Sequence, residues 1–175
     1  MENFITKDGR QLLIRKMVAD DYEQAVLYLR KVSTETKFLN QYPGQPDLPR
    51  EKAVKGYESD SAIFYAAFDK DGQIVGVVNL IIGKPEHPWI SKAAEFGISV
   101  LKEYHSSGLG TRLMELMEEW GKNKGIHCIT GRVRSTNRKA MGLYLKQGFN
   151  ICGLIRECAF IDGIWHDEYI IQKLI

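Results

Sequence analysis

The chain is 175 residues long, the length of one ordinary domain, and we therefore predict a single domain over residues 1–175. Its 24 Lys and Arg nearly balance its 22 Asp and Glu, without the clustered basic excess that is typical of nucleic-acid binding. No apolar run approaches the ~20 residues that cross a bilayer. We expect neither a nucleic-acid nor a membrane partner. The three cysteines include no CxxC pair, which predicts reduced core thiols of a cytoplasmic protein.

The amino-terminal half of the chain predicts one strand, two helices and a hairpin. The apolar residues 11–17 indicate the first strand, and Asp20 or Asp21 is expected to cap the helix that follows. Pro49 is the expected first residue of a short helix. Residues 62–68 and 74–82 indicate two strands joined by an Asp-Gly turn.

The middle of the chain predicts a strand over residues 96–101, a polar loop, and a helix from Gly108 to a C′ glycine at Gly125. Gly108 and Gly110 lie where the loop becomes the helix, so a ligand can approach the backbone closely. The first helical N–H groups lack internal partners and carry partial positive charge. No acidic residue occurs between Ser106 and Arg112, and Arg112 adds a cation. The junction predicts a site for the phosphates of a cofactor.

Two other phosphate-binding patterns do not fit this junction. The chain contains no GxxxxGK string followed by Ser or Thr, which excludes a P-loop. Gly108 and Gly110 match the start of a GxGxxG dinucleotide fingerprint, but Leu113 stands at the third glycine position. Taken alone, the two glycines fit a tight turn as well as they fit a phosphate site.

The carboxy-terminal part predicts a strand over residues 126–133 and a helix that Ser135 or Thr136 caps and that ends at Gly148. Residues 149–160 and 165–173 indicate two strands in a second hairpin. The order of elements is typical of an α/β mixture with a mostly antiparallel sheet.

Two motifs together resemble the GNAT superfamily of N-acetyltransferases. The segment from His105 to Gly110, HSSGLG, is similar to the family's Q/R-x-x-G-x-G/A pyrophosphate loop, with His105 in place of Gln or Arg. The segment from Asn137 to Phe149, NRKAMGLYLKQGF, is similar to the N-x-x-A-x-x-L-Y-x-x-x-G-F signature. The resemblance covers nearly the whole chain. Residues 159–163 together with residues 167–169 resemble bacterial members that acetylate ribosomal proteins or small amines.

The resemblance implies a fold, a cosubstrate and a set of contacts. The fold class is α/β (α+β), the GNAT fold: a mixed, mostly antiparallel sheet of about seven strands, flanked by about four helices. In this fold the fourth and fifth strands splay apart around the pantetheine arm of acetyl-CoA. Acetyl-CoA is the expected cosubstrate, and no metal is expected. A backbone N–H near Ser99 or Val100 is the expected oxyanion donor. The expected cofactor-binding residues are Ile98, Ser99, Val100, His105, Ser106, Ser107, Gly108, Leu109, Gly110, Thr111, Asn137, Ala140 and Tyr144.

Two residues are candidates for the proton transfers of an acetyl transfer. Tyr144 stands at the family's general-acid position, and its phenol has a reference pKa of about 10, near the ~8.5 of a thiol. Glu95 opens the central strand, at the end remote from the phosphate loop, and could accept the proton of an amine. Purely structural alternatives remain open for each: a core tyrosine and a solvated strand-end acid. Asn137 could equally cap its helix.

The acceptor is expected to be a primary amine of a small molecule, a protein or a peptide, attacked directly in a ternary complex. Aromatic and acidic residues after the first helix and in the last hairpin would suit a cationic amine. The expected substrate-binding residues are Glu35, Phe38 and Trp165. Two alternative functions stay open: a catalytically silent acyl-CoA-binding module and a nucleotide-binding module. A homodimer is an open possibility for the oligomeric state.

Overall fold

The computed structural model describes all 175 residues and contains one eight-stranded sheet with four α-helices. The strands are β1 (Glu2–Ile5), β2 (Gln11–Lys16), β3 (Ala62–Phe68), β4 (Ile74–Ile82), β5 (Ala93–Val100), β6 (Cys128–Arg134), β7 (Asn150–Ile161) and β8 (Ile164–Leu174). The helices are α1 (Tyr22–Glu35), α2 (Arg50–Tyr57), α3 (Leu109–Asn123) and α4 (Arg138–Lys146). None of these helices is both long and apolar enough to cross a membrane.

The strands follow the spatial order β1-β2-β3-β4-β5-β6-β8-β7, and only β5 and β6 run parallel. The predicted mostly antiparallel α/β fold is therefore confirmed, with eight strands instead of about seven. The missed strand is β1, which pairs with β2 through four residues that include Glu2 and Asn3. Its short polar sequence lacks the apolar run that would have indicated a strand.

Both predicted hairpins are confirmed. The first joins β3 to β4, with bounds identical to the predicted ones. The second joins β7 to β8 through Asp162 and Gly163, whose φ angles are +53° and +80°. Two consecutive left-handed residues are typical of the two-residue turn that matches the twist of adjoining strands. The helix stop at Gly125 is also confirmed, since its φ is +67° and its N–H donates to Lys122 O.

The predicted cap of α1 is confirmed in position, since Asp21 is the N-cap residue, but not in its hydrogen bond. Asp21 precedes the helix, but its carboxylate makes no capping hydrogen bond. It accepts instead from the Arg15 guanidinium at 2.7 Å and from the Val18 N–H at 2.8 Å. The ion pair requires β2 to lie beside the helix start, which the local sequence does not reveal.

The predicted cap of α4 was wrong. Asn137, not Ser135 or Thr136, precedes the helix, and its Oδ1 accepts from the Ala140 N–H at 3.2 Å. The Asn137 oxygen therefore caps α4, as the structural alternative predicted. The side-chain N–H groups of Asn137 remain available to a ligand.

The cysteines are free thiols, but their predicted core position was wrong for two of them. Cys152 and Cys158 are exposed, and only Cys128 is half-buried. Cys152 and Cys158 belong to β7, which is the last strand of the sheet and is largely open to solvent. An apolar strand at a sheet edge looks the same in sequence as a central one.

The helices divide between the two faces of the sheet. The Tyr28 hydroxyl of α1 lies 2.8 Å from Ser99 Oγ of β5, so the face that carries Ser99 packs on α1. Neighbouring side chains in a strand point to opposite faces. Phe96, three positions away, accordingly packs on Tyr144 of α4, with ring centroids 5.3 Å apart. We call these the α1 face and the α4 face.

β5 and β6 separate after three residue pairs, the last of which joins Glu95 to Thr130. Beyond this point β6 continues to pair with β8, while residues 96–100 of β5 have no partner on that side. The Phe96 ring fills the point of separation, since a Cβ added to Gly131 would lie 2.4 Å from it. The splay that the family resemblance implies is therefore present, with Phe96 and Gly131 at its base.

Gly131→Ala is expected to destabilise the fold. A methyl group at this position overlaps the Phe96 ring, whose neighbours Tyr144 and Phe149 prevent a simple rotation away. Overpacking of this kind typically costs about 1–3 kcal/mol, measurable as a lower midpoint of urea unfolding. Gly142→Ala is the matched control, because no atom lies within 4 Å of its added Cβ and alanine favours the helix. Equal midpoints for wild type and Gly131→Ala would contradict this prediction.

Candidate active site

The gap between β5 and β6 exposes backbone groups that can bind an extended ligand. The Leu101 N–H donates to Val75 O of β4, at 2.9 Å. Residues of an antiparallel strand alternate in the neighbour that they bond, so Ile98 and Val100 direct their N–H and C=O groups towards the gap. Ser99 lies opposite Val77 and faces β4 instead. Of the two residues expected near the oxyanion donor, Val100 therefore has the suitable orientation.

The loop between β5 and α3 places its backbone N–H groups at the helix start. Ser106 and Gly108 have left-handed φ angles of +62° and +91° on either side of the buried Ser107. Ser107 Oγ donates to Tyr104 O at 2.6 Å and accepts weakly from the Leu109 N–H at 3.4 Å. This pair of bonds holds the loop in a single turned conformation.

The first N–H groups of α3 remain free. The first backbone bond inside the helix comes from Arg112 to Gly108 O at 3.1 Å, and the Gly110 and Thr111 N–H groups have no backbone partner. A helix start of this kind binds phosphate through N–H groups and the helix dipole. His105 Nε2 lies 3.0 Å from Val100 O and must carry the proton of that bond.

The cation that the sequence suggested for this helix start is neutralised in the fold. The Arg112 guanidinium donates to Glu2 at 2.7 and 2.8 Å and also contacts Glu115 and Glu119 at 3.1 and 3.4 Å. The hydrogen bonds that Arg112 donates to Glu2 raise the pKa of Arg112 above its ordinary value. Arg112 is therefore not an unpaired cation for a phosphate, since β1 brings Glu2 across from the other end of the chain.

Tyr144 presents an unpartnered hydroxyl on the α4 face of the gap. Its side chain is 6% exposed, packs edge-to-face on Phe96 and contacts Phe149 at a centroid distance of 6.2 Å. Burial raises the pKa of Tyr144 to about 12, and no group of the chain hydrogen-bonds to the hydroxyl. The phenol is therefore neutral at physiological pH and free to donate to a ligand.

Glu95 lies on the opposite face. It belongs to the last residue pair before β5 and β6 separate, and its exposed side chain is on the α1 face, as is that of Ser99. The adjacent Phe96 points to the α4 face and contacts Tyr144. A carboxylate and a phenol thus flank the base of the gap from opposite sides of the sheet.

The family of the chain follows from a comparison with known families. A model of the acetyltransferase (GNAT) family matches residues 27–149, which run from α1 to the end of the α4 signature. The chain belongs to the GNAT family. The matched part contains the phosphate loop, the gap between β5 and β6, and both candidate proton-transfer residues.

Solved and curated GNAT relatives extend this result. The crystal structure of a GNAT acetyltransferase from Streptococcus pneumoniae is 32% identical, with a TM-score of 0.86, and the match covers 94% of this chain and 99% of that one. Spermidine N(1)-acetyltransferase of Escherichia coli is 32% identical over 53% of this chain and 48% of its own length. L-methionine sulfoximine/L-methionine sulfone acetyltransferase of Pseudomonas aeruginosa is 24% identical over 61% of each chain. The chain thus spans about half to three fifths of these two curated relatives.

The three candidate acceptor residues of this GNAT protein differ in their contacts and accessibility. Glu35 Oε2 accepts from the Lys102 N–H at 2.7 Å, so its carboxylate holds the turn after β5. Phe38 is 43% exposed, and Trp165 is 57% exposed while it stacks on Phe160. One Glu35 oxygen is thus bonded to the backbone, and the role of Glu35 in an acceptor site stays a prediction, as do the roles of the two accessible aromatic side chains.

Two contacts join the loop after α1 to the far strands. Lys37 forms an ion pair with Asp162 in the turn between β7 and β8. Arg134, at the end of β6, pairs with Glu168 of β8 and donates to Asn40 Oδ1 at 3.3 Å. The two segments expected to select the acceptor are therefore adjacent on the α1 face.

Arg134, which pairs with Glu168, was missed as a feature of the site. Both side chains are only 9% exposed, and Arg134 Nε is buried without a hydrogen-bond partner. An arginine at the end of a strand carries no spacing signal of its own. Its burial results from β8 and from the loop that carries Asn40.

Proposed function

We propose that this GNAT protein transfers an acetyl group from acetyl-CoA to a primary amine, by direct attack in a ternary complex. The observation that carries the proposal is the gap between β5 and β6, with Glu95 on one face and Tyr144 on the other. An amine that enters from the α1 face would meet a thioester held in the gap, with its leaving sulfur towards the α4 face. Bound acetyl-CoA supplies the activated acyl group.

The proposed cofactor contacts use mainly backbone groups. Free N–H groups of Gly110 and Thr111 would bind the pyrophosphate at the start of α3. The outward N–H and C=O groups of Ile98 would pair with the amides of the pantetheine arm, as a neighbouring strand would. Asn137 and Ala140, at the start of α4, would border the pantetheine arm on the α4 face of the gap. The Asn137 amide can donate a hydrogen bond to the arm.

The proposed proton transfers use the two faces of the sheet. Glu95 accepts the proton of the acceptor's ammonium, directly or through a water, because an ammonium has no free electron pair. The Val100 N–H donates to the carbonyl oxygen that gains charge. As the carbon–sulfur bond breaks, the Tyr144 hydroxyl donates its proton to the departing sulfur. The new amide nitrogen loses its second proton to solvent, and the Tyr144 phenolate regains a proton from solvent. Burial raises the pKa of Tyr144 to about 12, so the phenol keeps its proton until charge develops on the departing sulfur.

The class of acceptor is proposed to be a small molecule with a primary amine, with a peptide amine as the second candidate. The curated relatives named above act on spermidine and on methionine sulfoximine, both of which carry amines. The exposed Phe38 and Trp165 can contact the aliphatic part or the cationic end of such an acceptor.

A thiol-release assay with acetyl-CoA tests the proposed function. The acceptor panel contains a polyamine, several amino acids and a short peptide, and calorimetry measures acetyl-CoA binding in parallel. We expect amine-dependent release of coenzyme A with at least one acceptor class. Binding without release for every acceptor would support a silent acyl-CoA-binding module. Absence of binding would contradict the acetyltransferase proposal altogether.

Glu95→Gln is expected to lower turnover by about 10²-fold near neutral pH, because the amide cannot accept a proton. The defect should shrink as the pH rises towards the pKa of the acceptor amine, since more amine is then already neutral. A pH profile of kcat/KM for both enzymes measures this effect. Glu58→Gln, at an exposed residue after α2, is the charge-matched control. An equal defect at every pH would indicate that Glu95 positions the acceptor and does not remove its proton.

A further inference from the structure

The loop between β1 and β2, residues 6–10, lies against the phosphate loop. The Lys7 N–H donates to Ser107 O at 2.8 Å. Arg10 donates to Glu103 O at 2.8 Å, and its guanidinium lies 3.9 Å from the centre of the Tyr104 ring. These contacts fix the position of the Lys7 backbone relative to the start of α3.

The Lys7 side chain extends along the residue that begins α3. Its Cε and Cγ lie 3.6 and 3.7 Å from the position that a Cβ on Gly108 would occupy. The ammonium is one bond beyond Cε, and Lys7 as a whole is an exposed residue. Gly108 therefore leaves room for the aliphatic stem of Lys7 beside the free N–H groups of Gly110 and Thr111.

Lys7 carries the uncommitted positive charge at this site. His105 already contacts Val100 O, and Arg112 is held by Glu2, Glu115 and Glu119. The acidic residues near Lys7 are each paired with another cation, and Lys7 takes part in no ion pair. The pairs are Asp8 with Arg10, Glu2 with Arg112, and Glu103 with Lys31.

A lysine at a helix start is unfavourable unless an anion accompanies it. The N-terminus of a helix carries partial positive charge, so a neighbouring cation is repelled and an anion is attracted. A bound phosphate removes this repulsion, because it contacts the helix N–H groups and the ammonium together.

We propose that Lys7 binds a phosphate group of acetyl-CoA and supplies the cation that the phosphate loop itself lacks. This inference rests on the proposed function. The hairpin formed by β1 and β2 thus contributes to the cofactor site as well as to the edge of the sheet.

Lys7→Gln tests the role of the charge, because it preserves the backbone bond to Ser107. Calorimetry should show acetyl-CoA binding about three- to tenfold more weakly, since the contact is solvent-exposed. S-acetyl-pantetheine, which has no phosphate, should be used as an acetyl donor with an unchanged kcat/KM. Lys7→Arg should restore acetyl-CoA affinity. Lys16→Gln is the charge-matched control, on the same hairpin at the far end of β2.

Acetyl-dephospho-CoA, which lacks the 3′-phosphate, distinguishes the two phosphate sources. If Lys7→Gln still weakens the binding of acetyl-dephospho-CoA, Lys7 contacts the pyrophosphate. If the two proteins bind acetyl-dephospho-CoA equally well, Lys7 contacts the 3′-phosphate. Unchanged acetyl-CoA affinity in Lys7→Gln would overturn the inference, as would an equal defect with S-acetyl-pantetheine. In both of these cases wild-type binding of acetyl-CoA leaves the proposed function intact. Failure of the wild type to bind acetyl-CoA would instead overturn the proposed function and this inference with it.

Discussion

Replacing Tyr144 with Phe is expected to lower acetyl-transfer turnover by at least about tenfold if water partly substitutes for the hydroxyl, and by about 10²- to 10⁴-fold if it does not. The substitution keeps the ring and its packing on Phe96 and Phe149. No group of the chain loses a hydrogen bond, because the hydroxyl has no partner within the chain. Folding and acetyl-CoA affinity should therefore change little, as measured by thermal unfolding and calorimetry.

The dependence of turnover on pH and on the leaving group distinguishes a general acid from a residue that only packs in the core. Because burial raises the pKa of Tyr144 to about 12, the phenol remains protonated across an ordinary assay range. Its ionisation should thus produce no loss of wild-type activity below a pH of about 11. With an acetyl donor whose thiol is more acidic, the defect of Tyr144→Phe should become smaller, since the sulfur then needs less protonation.

A matched control is available on β3. Tyr65→Phe removes a half-buried hydroxyl two strands away from β5 and should leave turnover unchanged. Full activity of a folded Tyr144→Phe enzyme with acetyl-CoA would show that the hydroxyl is not the acid. Tyr144 would then be a core tyrosine that supports Phe96 at the base of the gap.

Gly110→Asp is expected to reduce acetyl-CoA affinity by at least about 10²-fold. It adds a negative charge beside the free N–H groups that would bind the pyrophosphate. The same charge at a helix start favours the helix by about 0.3–1 kcal/mol, so the fold should survive. Calorimetry with acetyl-CoA measures the loss, and urea unfolding verifies the fold.

Gly110→Ala separates charge from steric effects. A Cβ at this position lies 3.2 Å from Leu143 Cδ2 of α4, and the alanine variant introduces that contact without the charge. We expect a much smaller loss of affinity in Gly110→Ala than in Gly110→Asp. If a folded Gly110→Asp bound acetyl-CoA as the wild type does, the start of α3 would not be the phosphate site.

Local sequence patterns were sufficient for most elements. Apolar alternation and turn residues indicated β3 and β4 with correct bounds, and Gly108 and Gly125 marked the two ends of α3. Backbone propensity and hydrophobic period act over a few residues, so these features can be read directly from the chain. The separation of β5 from β6 was predicted only from the family resemblance. The alternation of apolar and polar residues in a strand does not show where the neighbouring strand stops pairing with it.

The charges of the candidate site depended on contacts between distant parts of the chain. Arg112 is neutralised by Glu2, which is 110 positions away, and the pair forms only because β1 joins the edge of the sheet. Arg134 becomes buried because β8 brings Glu168 beside it. A sequence pattern shows which charges exist, but pairing across the sheet decides which of them remain free.

The same distinction applies to the phosphate site. The glycines that leave the start of α3 open are visible in the sequence, since only neighbouring residues are needed to form that turn. The cation beside it is Lys7, which belongs to a polar stretch without a recognisable motif. Lys7 reaches Gly108 because the β1–β2 hairpin docks on the loop through Ser107 and Glu103. Long-range packing determines the position of Lys7, so residue spacing along the chain does not predict it.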